Sequence, residues 1–130
     1  MIVVDASVLA IALIDDGQSG YTVRRDLSTH ALAAPHLVDL EFVSVVRRLV
    51  ASGRLGSERA GQAIQDLTDL PIRRCDHVPL VQRCWELRNN VTAYDAAYVA
   101  LAEALDVPLW TADARLAAAP GVSCAVTLVR

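Results

Sequence analysis

Lysine is absent from this sequence: all 12 cationic side chains are arginine. A Walker A phosphate loop needs a lysine and is therefore excluded, and no G-x-G-x-x-G loop occurs either. Cysteine is scarce. Cys75, Cys84 and Cys124 show neither C-x-x-C nor zinc-finger spacing, and His30, His36 and His77 do not complete such a set. An odd, unpatterned trio reads as reduced, mostly buried thiols of a cytosolic protein. Tryptophan occurs twice, at 85 and 110, and both are read as core or interface residues in preference to base-stacking platforms. No Ser-His-Asp order, G-x-S-x-G elbow or Cys-His arrangement is present. The start, Met1-Ile2-Val3-Val4-Asp5, lacks a basic region and carries an acid, so neither a signal peptide nor a membrane span fits. The expected location is the cytoplasm.

What is present points to a folded enzyme-sized unit. The 130 residues are expected to form one domain spanning 1–130. Hydrophobic residues make up 54% and charged residues 21%, which supplies a substantial core and excludes a disordered chain. A net charge of −3 excludes a simple polycation but leaves room for a local basic patch. There is no internal repeat, low-complexity tract or linker-like run.

Short apolar runs alternate with longer periodic segments. Strands are expected at 2–4, 31–34 (stopped by Pro35), 71–74, 107–110 and 122–129. Helices are expected at 7–14, 20–28, 37–51, 57–70, 78–88, 93–105 and 114–118. The segment 37–51 is the clearest amphipathic helix: Val38, Phe42, Val45, Val46 and Leu49 share one broad face, and Gly53 closes it. Ser57 is the N-cap candidate of the next helix. Alanines at 96, 97, 100, 102 and 104 suit a helix that approaches a sheet closely. The alternation predicts an α/β domain with a mostly parallel sheet and helices on both faces.

In such sheets ligands bind at the carboxyl ends of the strands. The reactive side chains there are carboxylates. Asp5 ends the first strand, Glu41 lies near the start of a helix, Asp95 opens another, and Asp113 follows the strand ending at Trp110. Each has a plainer reading. Asp5 and Asp113 can cap the helices that follow them, Asp95 can be the acidic partner of Thr92 in a capping box, and Glu41 can be solvated on a helix rim. Together they are harder to dismiss. At ~5 Å and an effective dielectric of ~20, each converging pair repels by roughly 3 kcal/mol. Such a cluster needs a cation or raised pKa values. All-oxygen ligands favour Mg²⁺ or Mn²⁺ over Zn²⁺. An ion of that kind can bind a phosphate oxygen, activate a water and stabilise charge on a leaving oxygen.

Four stretches in order resemble the PIN-domain ribonucleases of the VapC toxin family over nearly the whole length. They are Ile2-Val3-Val4-Asp5-Ala6-Ser7, then Pro35-His36-Leu37 with Glu41, then Tyr94 to Ala102, and Thr111-Ala112-Asp113. The Tyr94–Ala102 stretch is the most specific. The resemblance implies a PIN-like three-layer α/β/α sandwich and endoribonuclease activity dependent on Mg²⁺, with Mn²⁺ as a substitute. It carries the metal-binding and catalytic role onto Asp5, Glu41, Asp95 and Asp113. Thr111 matches the hydroxyl residue two before the last acid, where it would orient that acid or a water, and Ser7 is a weaker supporting candidate. Asp39 precedes Glu41 by two residues, so the two point to nearly opposite sides of a helix, and periodicity does not choose between them. Glu41 is taken because it matches the family position. The resemblance also implies a toxin role, with RNA as substrate, a small antitoxin partner that blocks the acidic site, and a homodimer.

Two other enzyme classes place an Asp after strand one: phosphoryl-acceptor receiver domains and haloacid-dehalogenase-like phosphatases. Both depend on a lysine, which this chain lacks. The alternative function is a PIN-like module that binds RNA or protein without cleaving, and the presence of all four acids argues against it. The arginine pairs 24/25, 47/48 and 73/74 read as solvated faces, although some arginines must contact phosphate if RNA binds.

Overall fold

The computed structural model describes residues 1–130 and contains five strands and seven α-helices. Strands β1 (Ile2–Val4), β2 (Leu32–Pro35), β3 (Ile72–Cys75), β4 (Leu109–Thr111) and β5 (Val126–Leu128) form one sheet in the order β3-β2-β1-β4-β5. Every pairing is parallel. β1 lies in the middle, and Ile2, Val3 and Val4 are all buried, as an apolar strand covered on both faces requires.

The helices are α1 (Ala6–Ile14), α2 (Gln18–Leu27), α3 (Leu37–Ala51), α4 (Ser57–Asp69), α5 (Val81–Glu86), α6 (Ala93–Leu105) and α7 (Ala114–Ala117). Helices α1 to α4 pack on one another, while α5 packs on α6. The chain moves from β1 through β2 to β3 in one direction, then crosses by α6 to β4 in the other. Right-handed crossovers in opposite directions place the two helix groups on opposite faces, which gives the three layers.

Helix α6 is the most deeply set of the helices. Residues Ala96 to Ala102 are buried without a break. Alanines at 96, 97, 100 and 102 lie at this contact, whereas Ala104 is exposed. On α3 the buried face is Val38, Phe42 and Val46; Val45 and Leu49 are half-buried at its edges. The corner between α1 and α2 is tight because Gly20 lies directly against the Asp15 carbonyl, where any Cβ would collide.

Several boundaries differ from the sequence reading. The expected helix 78–88 is a 3₁₀ turn, Val78–Leu80, followed by a six-residue α5. Pro79 lies in the first turn, where its missing N–H is tolerated, and that turn closes as 3₁₀ through the Leu80 N–H to the His77 carbonyl at 2.7 Å. The last strand covers only Val126–Leu128 of the expected 122–129. Gly56, not Ser57, is the N-cap residue of α4, and no side chain caps that helix. The three cysteines are free, and each is half-buried where the sequence predicts mostly buried thiols. Trp110 packs against the core, but Trp85 is 63% exposed and is not a core residue. No helix is long and apolar enough to cross a membrane.

A carboxylate cleft as candidate active site

The sheet reverses its winding between β1 and β4, and the ends of these two strands open a crevice of the kind where α/β proteins bind ligands. A cleft of about 560 Å³ lies there. Asp5, Glu41, Asp95 and Asp113 all line it, brought from β1, α3, α6 and the turn after β4. Ser7, Arg48 and Tyr98 line it as well.

Asp5 is the most constrained of the four. Its backbone N–H donates to the Trp110 carbonyl at 3.2 Å, tying the end of β1 to β4. Oδ1 accepts from the Ser7 hydroxyl at 2.6 Å and from the Val8 N–H at 3.1 Å, so Asp5 is also the N-cap of α1. Oδ2 accepts from the fully buried Thr111 hydroxyl. Both hydroxyls are doubly used: Thr111 Oγ1 accepts from the Asp113 N–H at 3.0 Å, and Ser7 Oγ accepts from the Ala112 N–H at 2.9 Å. Ser7 and Thr111 therefore hold the Asp5 carboxylate and the turn carrying Asp113 in one frame.

Glu41 is half-buried, and its Oε1 accepts from the Tyr98 hydroxyl at 2.5 Å. Burial and the Glu41 charge push the Tyr98 phenol far up, so it stays a donor. Asp95 opens α6, where the Thr92 hydroxyl accepts from its N–H at 3.1 Å. The reciprocal bond of a full capping box, from the Asp95 carboxylate to the Thr92 backbone, is not formed. Asp113 caps α7 through the Arg115 N–H at 2.9 Å. The cap readings of Asp5 and Asp113 thus hold alongside their place in the cleft, while Glu41 is bonded inside the cleft and not solvated on a rim.

The charges of the acids act on one another. Burial raises the Glu41 pKa, and the nearby Asp95 and Asp5 charges raise it further, against the Tyr98 hydrogen bond. Burial also raises that of Asp95, with Asp113 and Asp5 adding to it. Asp5 is raised by burial in spite of its hydrogen-bond donors. Burial is the chief cause in all three, and at Glu41 and Asp95 the mutual repulsion of the acids adds to it.

Asp39 lies outside the cleft. Arg74 holds it from Nη2 and Nε, both at 2.9 Å, so the geometry separates the two acids of α3 that periodicity left open. Sequence reasoning missed Tyr98, although it lies three residues after Asp95 and so on the same helix face. The arginine pairs divide. Arg24 donates to the Ala12 and Asp15 carbonyls and Arg74 holds Asp39, both structural, whereas Arg48 lines the cleft.

The donor set suits a hard divalent cation. All four side chains offer oxygen, and the Oε2 atom of Glu41 and Oδ2 of Asp113 make no bond within the protein. As they stand, no three acidic, histidine or cysteine side chains are grouped closely enough to hold a metal ion by themselves. Mg²⁺ does not require such a grouping, because it keeps several waters and needs only one or two carboxylates. The donor chemistry of the four side chains therefore suits Mg²⁺ or Mn²⁺, with the remaining positions left to water.

Residues 2–122 match the PIN domain family. Ribonuclease VapC1 of Mycobacterium tuberculosis is 48% identical over 129 residues, covering 98% of this chain and 97% of the relative. Ribonuclease VapC9 of the same organism is 46% identical, covering 99% and 98%. Among solved structures, VapBC2 from Rickettsia felis, crystallised with a DNA fragment from their promoter, superposes with a TM-score of 0.71. It covers 100% of both chains at 16% identity, which speaks for the fold. By its domain match, its sequence and its architecture, the chain belongs to the PIN domain family and, within it, to the VapC group.

Proposed function

We propose that this protein is a Mg²⁺- or Mn²⁺-dependent endoribonuclease, acting as the toxin of a toxin–antitoxin pair. The observation that carries the reading is the convergence of Asp5, Glu41, Asp95 and Asp113 on one open cleft in which no arginine side chain hydrogen-bonds any of the four, although Arg48 lines the wall. Arg115 comes nearest, with its Nε 3.8 Å from Asp113 and its side chain 95% exposed. The ribonuclease names of VapC1 and VapC9 support the choice of RNA as substrate.

In this reading Asp5, Glu41, Asp95 and Asp113 would hold the cation. The cation, when bound, would reverse the sign of the cleft and supply positive charge to a phosphodiester oxygen. The chain's own residues do the positioning. Ser7, Val8 and Thr111 lock the Asp5 carboxylate with three donors. Tyr98 fixes Glu41 against α6, and Thr111 fixes the backbone of Asp113. A frame set in advance spares reorganisation when the strand binds. Residues 1–130 act as one catalytic domain, the protein works in the cytoplasm as a homodimer, and a small antitoxin protein restrains it by covering the cleft.

The test is cleavage of a total RNA pool by purified protein. Cleavage with Mg²⁺ or Mn²⁺, lost with EDTA and in Asp5→Asn and Asp95→Asn, is the expected result. Cleavage that persists in EDTA overturns the metal assignment. RNA binding without cleavage in any metal makes the protein a binding module.

A further inference from the structure

A second cavity, of about 480 Å³, adjoins the acidic cleft, and Asp95 and Asp113 belong to both. Its wall balances two arginines against the two shared aspartates. Beyond the two shared acids, Arg88, Asn89, Asn90 and Arg115 dominate its wall. Arg88 is held ready: its guanidinium stacks 4.3 Å from the centre of the Trp85 ring, and Nη1 donates to the Trp85 carbonyl at 3.0 Å. Asn90 is packed over Gly121, whose φ of 81° and lack of a Cβ leave space for its amide.

An elimination among the arginines singles out this wall. Arg24, Arg59, Arg74 and Arg83 tie separate segments of the fold through main-chain carbonyls or through Asp16, Asp39 and Glu103, and Arg25 pairs with Asp26, whereas the Arg88 side chain donates only to Trp85 three residues before it and that of Arg115 meets only Asp113, at 3.8 Å. Of the others, only Arg48, Arg88 and Arg115 line the cleft or its neighbour, and two of these three face the second cavity. A chain without lysine has no other cation to offer a polyanion at this place.

We propose that this second cavity is the subsite for the nucleotide next to the scissile phosphate, with Arg88 and Arg115 on the flanking phosphate and the amides of Asn89 and Asn90 on the base edge. The inference deepens the ribonuclease reading and rests on it for the identity of the strand. Planar guanidinium groups suit phosphate oxygens, and asparagine amides supply both a donor and an acceptor for a base. The polyanion is thus gripped beside the acids, where it would otherwise be repelled.

The test is equilibrium binding of a fluorescent single-stranded RNA to full-length Asp5→Asn protein, which leaves the RNA intact, across a salt series. Adding Arg88→Ala and Arg115→Ala is expected to weaken binding about tenfold or more, given the usual strength of bonds to charged groups. The slope of log K against log salt is expected to flatten by roughly 0.7 for each phosphate that is no longer neutralised. Arg25→Ala with Arg54→Ala removes the same charge away from both cavities and serves as the control. Asn89→Ala with Asn90→Ala is expected to change the preference among homopolymeric RNAs while leaving the salt slope unchanged. Equal weakening in the Arg88/Arg115 and control proteins, or none in either, overturns the subsite. If the arginine effect appears but wild-type protein cleaves no RNA in any metal, the subsite stands as an RNA-binding site and the nuclease reading falls alone.

Discussion

Two sets of carboxylates occupy this molecule under opposite rules. Asp16, Asp39 and Glu103 each face an arginine, respectively Arg59, Arg74 and Arg83, at 2.7 to 3.0 Å. These pairs tie separate elements together, and Arg83 also reaches the Gly121 carbonyl while Glu103 accepts from the Ser123 N–H. The carboxyls of Asp16 and Glu103 lie below their ordinary range because of their arginines. Asp5, Glu41 and Asp95 have no such partner and lie above it. The fold has 12 arginines and uses several to join helices and loops, yet leaves the deepest acids without one. The paired acids acquire their counter-charge from the chain; under the proposed function, the cleft acids leave that place to a cation that can come and go.

The largest expected effect breaks the contrast on the side of the cleft. Asp95→Asn keeps the shape of the side chain, and its cleavage rate is expected to fall at least about a thousandfold, or about 4 kcal/mol in the barrier. Its melting temperature stays near that of the wild type. Asp39→Asn is the mirror image, with cleavage retained and stability lowered. If Asp39→Asn abolished cleavage and Glu41→Gln did not, the assignment on α3 would be reversed.

Next comes the paired set. Glu103→Ala removes the partner of Arg83 and of the Ser123 N–H, and chemical denaturation is expected to show a loss of roughly 1.5 kcal/mol. The carboxyl of Glu103 is held below its ordinary 4.5 in the folded protein. Its contribution is therefore complete above that value and disappears as pH falls through the folded value. Wild-type stability should drop more steeply on acidification than that of Glu103→Gln. Parallel curves for the two would show that the pair adds nothing.

A cation tests whether the unpaired set wants a counter-charge. With 10 mM Mg²⁺ and an assumed Kd of ~1 mM, linkage gives about 1.4 kcal/mol of stabilisation. Monovalent salt of equal ionic strength separates binding from screening, and the increment should shrink in Asp5→Asn. Equal melting shifts from Mg²⁺ and the salt control would speak against a specific site.

The smallest effect concerns Asp5 itself. Its folded pKa is raised, so its charged form burdens the metal-free protein increasingly as pH rises above the ordinary 3.8. In EDTA, Asp5→Asn is expected to melt slightly above the wild type at neutral pH, with the gap closing below that value. Asparagine keeps the cap on α1, so the comparison is not confounded by a lost N-cap. A lower melting temperature at neutral pH would show that the hydrogen bonds of the carboxylate outweigh its burial.

Much of the fold could be read from local patterns. The β-branched run Ile2–Val4 lies in the centre of the sheet, the 3.6-residue periodicity of 37–51 became α3, and the alanines of 96–102 became the buried face of α6. The errors cluster where a local rule met a competing one. The segment 78–88 opens with a 3₁₀ turn before its α-helix, and the last strand kept only the residues that pair with Leu109 to Thr111. Of the core-or-interface reading of the tryptophans, size and apolarity decided the core only for Trp110, whereas Trp85 lies on the surface beneath Arg88.

The chemistry available to this protein was legible in its residues alone: acids at strand ends and helix starts, arginine as the sole cation, and alternating strands and helices that make a parallel sheet. Which acid of α3 enters the cleft was not. Asp39 and Glu41 differ by two positions, and their roles were separated by Arg74, 35 residues away in the chain. Nor could local patterns show that the hydroxyl of Tyr98 reaches Glu41 across 57 residues, or that Thr111 reaches Asp5 across 106. Periodicity states which way a side chain points from its own helix or strand. Whether it meets a partner depends on how that element is packed against the next, and only the folded chain contains that.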